Sequence, residues 1–418
     1  MRSFDYVVVG AGPAGMSAAR TLAQQAGSGR VALVSDEAAL PYERPQLSKE
    51  TLASADNPIV RLTSDLELEQ LGIAFLGGTR ARAIDREARI LQTDVGPLSY
   101  GALLLATGGA ARALRAPGSG LENVKYLRSE ADAQALRTAL AARPRIVVIG
   151  AGFIGLEVAA TAHKLGCRVD VVANEAMVMG RCLPRAIGER AQALLISQGI
   201  ALRLAAEVAA LEGKDKVLAV RLASGECLPA DLVVVGIGSV PNTSLAAEAG
   251  LAIDDGIVVG ADWRTSDPHI FAAGDVARRT PRDFHGGRGV RLESWEPALE
   301  HGQLVARAML GQPVDEPGVP WMWSDQADLN VQIAGAPNPA DPFILRERDE
   351  SVSLAAAFLD SGRIVGAITL NDGAAMATMR RAIAERRSVN PDAFRDPAVP
   401  LRQALGMQRS SERQALAT

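Results

Sequence analysis

The sequence predicts an α/β protein with two parallel-sheet nucleotide-binding domains followed by a smaller α+β domain. Three observations predict it. In DYVVVGAGPAGMSAARTLAQQ (5–25) a β-branched run passes through a glycine turn into a helical pattern, and the arrangement returns in RIVVIGAGFIGLEVAATAHK (145–164). The Pro/Gly-rich stretch GQPVDEPGVP (311–320) then separates these repeats from a segment of different character. At 418 residues the chain exceeds the roughly 250–300 residues at which single cores stop growing, so several domains are expected.

Each repeat carries G-x-G-x-x-G between a strand and a helix. The first glycine permits the tight turn, the second lets backbone approach a pyrophosphate, and the third lets helix and strand pack closely. Gly10, Gly12 and Gly15, with Ala14 beside the third, take these places in the first clamp, and Gly150, Gly152 and Gly155 take them in the second. One such match is weak evidence, but two in the βαβ context are strong. A second strand follows the first helix in RVALVSDE (30–37), which puts Asp36 where a carboxylate accepts hydrogen bonds from both hydroxyls of an adenosine ribose. In the second clamp, CRVDVVANEA (167–176), the equivalent position is read as Ala173, with Asn174 and Glu175 next in reach and no Arg to favour a 2′-phosphate. This leans towards NADH over NADPH, with weak discrimination.

The rest of each half reads consistently. ARAIDREARILQT (81–93) and KVLAVRLAS (216–224) alternate as short antiparallel strands, and ALLLATGG (102–109) and DLVVVGIGSVPN (231–242) are buried parallel strands. TSDPHIFAAGDVA (265–277) follows a loop region, and 296–310 reads as a helix. Beyond the linker, PFILRERDESVSLAAAFLDSGRIVGAITL (342–370) reads as about three strands and AAMATMRRAIAERR (374–387) as one helix. The expected domains are 1–108 with 242–318, then 109–241, then 319–405, with 406–418 a frayed tail.

Bulk properties narrow the function. The hydrophobic fraction is 48%, the charged fraction 22% and the formal net charge −4, which leaves no basic footprint for nucleic acid. No run approaches the ~18 apolar residues of a membrane span, and Met1–Tyr6 does not read as a signal peptide, so no membrane partner and a cytoplasmic location are expected. Cys167, Cys182 and Cys227 are odd in number and form no C-x-x-C, against a disulfide framework, a zinc knuckle or an iron–sulfur cluster. His163, His269, His285 and His301 have neither metal-site spacing nor a nucleophile partner and are assigned no catalytic part.

Further motifs carry a family resemblance over residues 4–405: PYERPQLSK (41–49), LLLATGG (103–109), GAGFIGLEVAA (150–160), TSDPHIFAAGDVA (265–277), VRLESW (290–295) and VPWMWSDQ (319–326). The chain resembles the pyridine-nucleotide-disulfide-oxidoreductase-like flavoproteins. Among these it is most similar to the ferredoxin reductases of bacterial oxygenase systems, of the putidaredoxin-reductase type. The first motif departs from the pattern, with Gln46 where these enzymes usually carry a second proline.

The resemblance implies a glutathione-reductase-like fold, two Rossmann-like domains plus a C-terminal domain, with FAD in the first clamp and NAD in the second. It implies electron delivery from NADH through FAD to a [2Fe–2S] ferredoxin that feeds a haem monooxygenase or a Rieske-type oxygenase. It implies that Asp275 bonds the ribityl chain of FAD and that Ala81 and Arg128 line the adenine side. Trp295 covers the pyrimidine end, and Trp323 lies where an electron leaves. Lys49 stands at the reactive flavin edge with Glu157 as partner, and the chain is a monomer or weak homodimer.

Physical sense supports several of these. Pro41 and Pro45 stiffen the loop that carries Lys49, and a fixed ammonium stabilises the negative charge of reduced flavin. Glu157 reads as a first-turn residue favoured by the helix N-terminus. Disulfide reductases of this type place cysteines on the flavin, and related NADH oxidases and peroxidases place one near residue 40. ALPYERPQLSK (39–49) has none, so thiolate relay is excluded. Arg288 and Arg291 are expected to help dock an acidic ferredoxin, with a rate that falls at high salt. Rubredoxin, quinone or monodehydroascorbate reductases share both clamps, and a cell-death-effector-type NADH-sensing flavoprotein is the reading from another class.

Overall fold

The computed structural model describes residues 1–54, 56–279, 291–347 and 353–407. It divides into two compact units. The first comprises Met1–Pro45, Pro58–Ala110 and Ser239–Gly318, and the second Gln46–Asn57, Ala111–Gly238 and Val319–Thr418.

The first unit is built on the run YVVV. Val7 and Val8 are fully buried in strand Arg2–Val9, which pairs in parallel with Val31–Val34 on one side and Leu98–Leu105 on the other. Burial on both faces is why these strands read as continuous hydrophobic runs rather than alternating ones. Ile73–Leu76 extends one edge in parallel, and Ile270–Ala272 joins beside Leu98–Leu105. The antiparallel pair Ala81–Asp85 and Ile90–Thr93 attaches to the same sheet through the first residues of Leu98–Leu105. Helix Pro13–Ala26 packs on this sheet through small residues, with Ala18, Ala19 and Leu22 fully buried. The predicted C-terminal helix of the unit runs Trp295–Met309. On it His301 is buried against the Trp263 ring, 4.4 Å between centroids, and burial pushes its pKa down to about 3. It is therefore neutral near pH 7 and takes no acid role.

The second unit repeats the plan. Its sheet orders Ala201–Arg203, Arg168–Val172, Arg145–Ile149, Leu232–Val235 and Val124–Lys125, all parallel. Here the antiparallel strands Val208–Gly213, Val217–Leu222 and Cys227–Pro229 form a sheet of their own. The unit also holds a five-stranded antiparallel sheet, in the order Trp321–Gln326, Leu329–Gly335, Arg363–Leu370, Leu354–Asp360 and Phe343–Glu347. Helix Gly373–Ala384, capped by the Asp372 side chain, packs on it through Met376 and Met379. Sequence reading found the last three strands and missed the hairpin Trp321–Gly335. Its turn is the short pair Ala327–Asp328, with Ala327 at φ +55°, where no glycine marks the reversal.

Leu52, the helix Phe153–Lys164 and the sheet residues Leu329, Val331 and Ile368 share one hydrophobic core. Residues 46–57 thus pack with the second unit, although the sequence places them inside the first domain. Leu52 is fully buried in that core, and the Thr51 carbonyl accepts from Arg137 at 3.2 Å.

Candidate functional site

The two clamps have nearly the same geometry. Gly10 lies at φ +106° and Gly150 at +111°, a region where a side chain strains the backbone. A Cβ would stand 2.1 Å from the Ala106 carbonyl oxygen at Gly10 and 2.3 Å from that of Gly236 at Gly150. The third glycines are as tight, with 1.8 Å from Gly15 to the Gly10 oxygen and 2.2 Å from Gly155 to the Gly150 oxygen. The second glycines differ in kind: a Cβ at Gly12 or Gly152 meets nothing within 4 Å. That open space lies at the N-cap of helices Pro13–Ala26 and Phe153–Lys164, which have no side-chain cap and no acid in the first turn. Unspent amides and the positive helix end face it, which suits a pyrophosphate in each clamp. Ala14 is buried, and a Cβ at Gly274 would stand 2.9 Å from its own. It therefore packs the start of the clamp helix beside the Asp275 turn.

Asp36 is exposed two residues beyond strand Val31–Val34. Its neighbour Glu37 is engaged, accepting from Tyr42 Oη at 2.6 Å and from Arg44 at 2.7 Å. Backbone register corrects the expectation for the second clamp. Gly10 N donates to Val34 O as Gly150 N does to Val172 O, and Ser35 N donates to Leu76 O as Ala173 N does to Arg203 O. Ala173 is thus the counterpart of Ser35, and the residue matching Asp36 is Asn174, which is also exposed. Asp36 is the second residue past its strand and Ala173 only the first past its own, so the expected position falls one residue short. Glu175, the counterpart of Glu37, is half-buried with its carboxylate 3.8 Å from Arg181 Nε.

The remaining expected contacts stand on separate elements. Asp275 is half-buried in a 3-10 turn, Gly274–Val276, beyond strand Ile270–Ala272 rather than at the strand's tip, and its carbonyl accepts from Arg291 at 3.2 Å. Trp295 opens the helix Trp295–Met309, and Ala81 opens the strand Ala81–Asp85. Arg128 is half-buried before the capping box of helix Glu130–Leu140, its amide donating to Asp132 at 3.1 Å, and it belongs to the other unit from Ala81. Arg291 does not offer the charge expected of it. Its side chain is only 12% exposed and pairs with Asp255 at 3.5 Å and with Glu293. Arg288 and His285 lie outside the described residues.

Lys49 and Glu157 do come together, within the second unit. Glu157 is the fifth residue of its helix, one turn deeper than read, and is 4% exposed on the buried face. The N-terminus therefore does not account for it, and side chains do. Ser324 Oγ donates to Oε1 at 2.6 Å, Ser48 Oγ donates to Oε2, and Lys49 Nζ lies 3.5 Å from Oε1. Burial raises the carboxyl pKa and prevails, leaving it above the ordinary carboxylate value although Lys49, Ser324 and Ser48 pull it down. Lys49, only 12% exposed, also meets Asp325 at 3.4 Å and stands 5.7 Å above the Trp323 ring. Trp323 stacks on Trp321, 4.9 Å between centroids. A lone lysine in a loop is ordinarily solvated, but this one is held by two carboxylates and an aromatic face. Ser48, Ser324, Asp325 and Gln326 were not singled out from sequence. For Ser324, Asp325 and Gln326 the signal was available in WSDQ (323–326), a polar triplet closing a strand that otherwise reads as apolar, whereas Ser48 carried none beyond its place beside Lys49.

Residues 4–302 match the family described as pyridine nucleotide-disulphide oxidoreductase, and 321–405 that described as reductase C-terminal. The chain belongs to the pyridine nucleotide-disulphide oxidoreductase family. With the family come its cofactors, FAD and NAD(H), and both open clamps fit them. The chain is 35% identical to putidaredoxin reductase of Pseudomonas putida, over 97% of this chain and 98% of that one. It is 36% identical to the ferredoxin–NAD(+) reductase component of the anthranilate 1,2-dioxygenase system of Burkholderia cepacia, over 96% and 99%. The solved covalent complex of putidaredoxin reductase with putidaredoxin superposes with a TM-score of 0.91 at 34% identity, over 97% and 98% of the two chains. Among the described residues no helix is long and apolar enough to cross a membrane, and no cluster of His, Cys, Asp and Glu could hold a metal ion.

Proposed function

We propose that this chain is an FAD-dependent reductase that oxidises NADH and passes the electrons singly to a small [2Fe–2S] ferredoxin serving a haem monooxygenase or a Rieske-type oxygenase. FAD, when bound, supplies the change from two-electron hydride chemistry to one-electron delivery. The observation that carries this reading is Lys49, an ammonium fixed between Glu157 and Asp325 in a loop without cysteine. A thiol relay would need a sulfur there, and burial pushes the Cys167 thiol up, away from the reactive thiolate. Gly12 and Gly152 leave room for one dinucleotide each, and Asp36 accepts from the adenosine ribose of the first. Lys49 supplies positive charge where hydride arrival builds negative charge, already oriented and with little reorganisation. The division into 1–108 with 242–318, 109–241 and 319–405, a monomeric or weakly dimeric state and a cytoplasmic location belong to the same reading.

Side-by-side NADH-driven reduction of a two-iron ferredoxin, a rubredoxin and a quinone tests it. The two-iron ferredoxin should give the largest kcat/KM. Preference for either other acceptor overturns the assignment, as would slow turnover with all three together with an NADH-dependent change in mass.

Asn174 bears on the coenzyme. An amide can bond a ribose hydroxyl without repelling a 2′-phosphate, so NADH should be preferred over NADPH by less than about 10⁴ in kcat/KM, since larger ratios need a polar group left unpaired. Steady-state kinetics with both coenzymes decides this, and a larger ratio contradicts the part given to Asn174.

A further inference from the structure

The C-terminal sheet contributes more to the Lys49–Glu157 pair than a packing surface. Its edge strand Trp321–Gln326 alternates: Ser324 and Gln326 are fully buried on one side, while Trp323 and Asp325 lie on the other and approach Lys49. On the buried side Gln326 Nε2 donates to Ser324 Oγ at 3.0 Å, and Ser324 Oγ donates to Glu157 Oε1 at 2.6 Å. The order of that chain matters. An amide donating into the serine oxygen leaves the hydroxyl proton one direction, towards the carboxylate, and hydrogen bonds in series polarise one another. Gln326 is held in this sense by the Met179 thioether, 3.3 Å from the same Nε2. On the far side of Glu157, Thr161 stands one turn along the helix and donates to the Ser48 carbonyl at 2.8 Å, fixing the residue that gives the second hydroxyl.

We propose that Ser324, oriented by Gln326, is a positioning residue: its hydroxyl keeps the buried Glu157 ionised and thereby keeps the Lys49 ammonium aimed. The proposal rests on the reading of Lys49 given above. It extends that reading by making the C-terminal domain a determinant of the charge state at the pair. Burial opposes the charged form of Glu157, and only Lys49, Ser48 and Ser324 oppose burial. The neighbouring elements bring little else. Segment 48–53 supplies Ser48 and Lys49. The edge strand supplies Ser324, Gln326 and, through Lys49, Asp325. Strands Arg145–Ile149 and Arg168–Val172 present buried Val148 and Val171, and Asp170 is tied to Arg203 at 3.3 Å. Removing one hydroxyl from so small a set should let the carboxyl take up a proton near neutral pH.

The test uses the flavin-loaded protein in two measurements. In Ser324→Ala the acid limb of the pH profile for flavin reduction by NADH, followed by stopped flow, should move up by roughly one to two pH units, the worth of a hydrogen bond to a charged group. Ser324→Thr should restore it. Without turnover, infrared spectra at neutral pH should show a protonated-carboxyl band in Ser324→Ala that is absent from the wild type and from Ser324→Thr, and lost on adding Glu157→Gln. If Ser324→Ala fails to fold, Gln326→Met frees the hydroxyl's direction and should give a smaller shift in the same sense. An unchanged profile and spectrum in the foldable variants overturn the proposal, as does a threonine variant that behaves like the alanine one. The two failures are distinguishable: a wild-type reduction rate in Lys49→Ala sinks the reading of the pair and this proposal with it, whereas slow Lys49→Ala with an unmoved Ser324→Ala profile sinks only the proposal.

Discussion

Replacing Gly152 by Asp should leave the protein folded with its full flavin content while raising the KM for NADH by about 10²-fold or more. The fold tolerates it because a side chain at Gly152 enters open space, with nothing within 4 Å of its first carbon. Binding does not, because the new carboxylate occupies the approach of a pyrophosphate and repels it where the bare helix N-terminus had attracted it. Gly12→Asp is the mirror experiment. It should give a soluble chain that purifies with little or no flavin, since Gly12 has the same open surroundings in the first clamp. The ratio of flavin to protein absorbance and NADH saturation curves separate the two outcomes. A KM within threefold of wild type in Gly152→Asp would contradict the assignment of the second clamp. Gly10→Ala and Gly150→Ala are poor substitutes for this test. Their Cβ atoms would collide with a carbonyl oxygen at 2.1 and 2.3 Å in a strained backbone region, and any loss of binding would follow from loss of fold.

Lys49→Ala should slow NADH-dependent flavin reduction by about 10²–10³-fold, the range seen when one preorganised donor is removed from a developing charge. FAD content should change far less, because the first clamp lies in residues the substitution does not touch. The substitution also strips Glu157 of its ammonium at 3.5 Å and leaves a 4% exposed carboxylate with two hydroxyls alone. Such a group protonates rather than remaining a buried, uncompensated charge. Single-turnover stopped flow reads the effect directly, and an unchanged reduction rate would refute the part given to Lys49.

The clamps were legible in the sequence because their requirements are local. A glycine at φ +106° or +111°, a glycine under a carbonyl and a glycine facing a ligand recur at fixed spacing, set by strand, turn and helix geometry. The position matching Asp36 was misplaced for the converse reason. Where the strand ends is not written in its apolar run, and only the hydrogen bonds from Gly150 to Val172 and from Ala173 to Arg203 reveal that Asn174 is the counterpart. Arg291 illustrates a similar limit: composition shows a cation, but not that Asp255 and Glu293 already neutralise it.

Local pattern thus decided the two βαβ repeats, their glycines and the absence of cysteine in the lysine loop, since each depends on neighbours within about one supersecondary unit. Tertiary packing decided the chemistry around Glu157. Ser48, Lys49 and Ser324 come from positions more than a hundred residues away from it in either direction, and no periodicity brings them together. A buried carboxylate is tolerated only where distant segments supply an ammonium and hydroxyls at hydrogen-bonding range, and it is the folded core that delivers them.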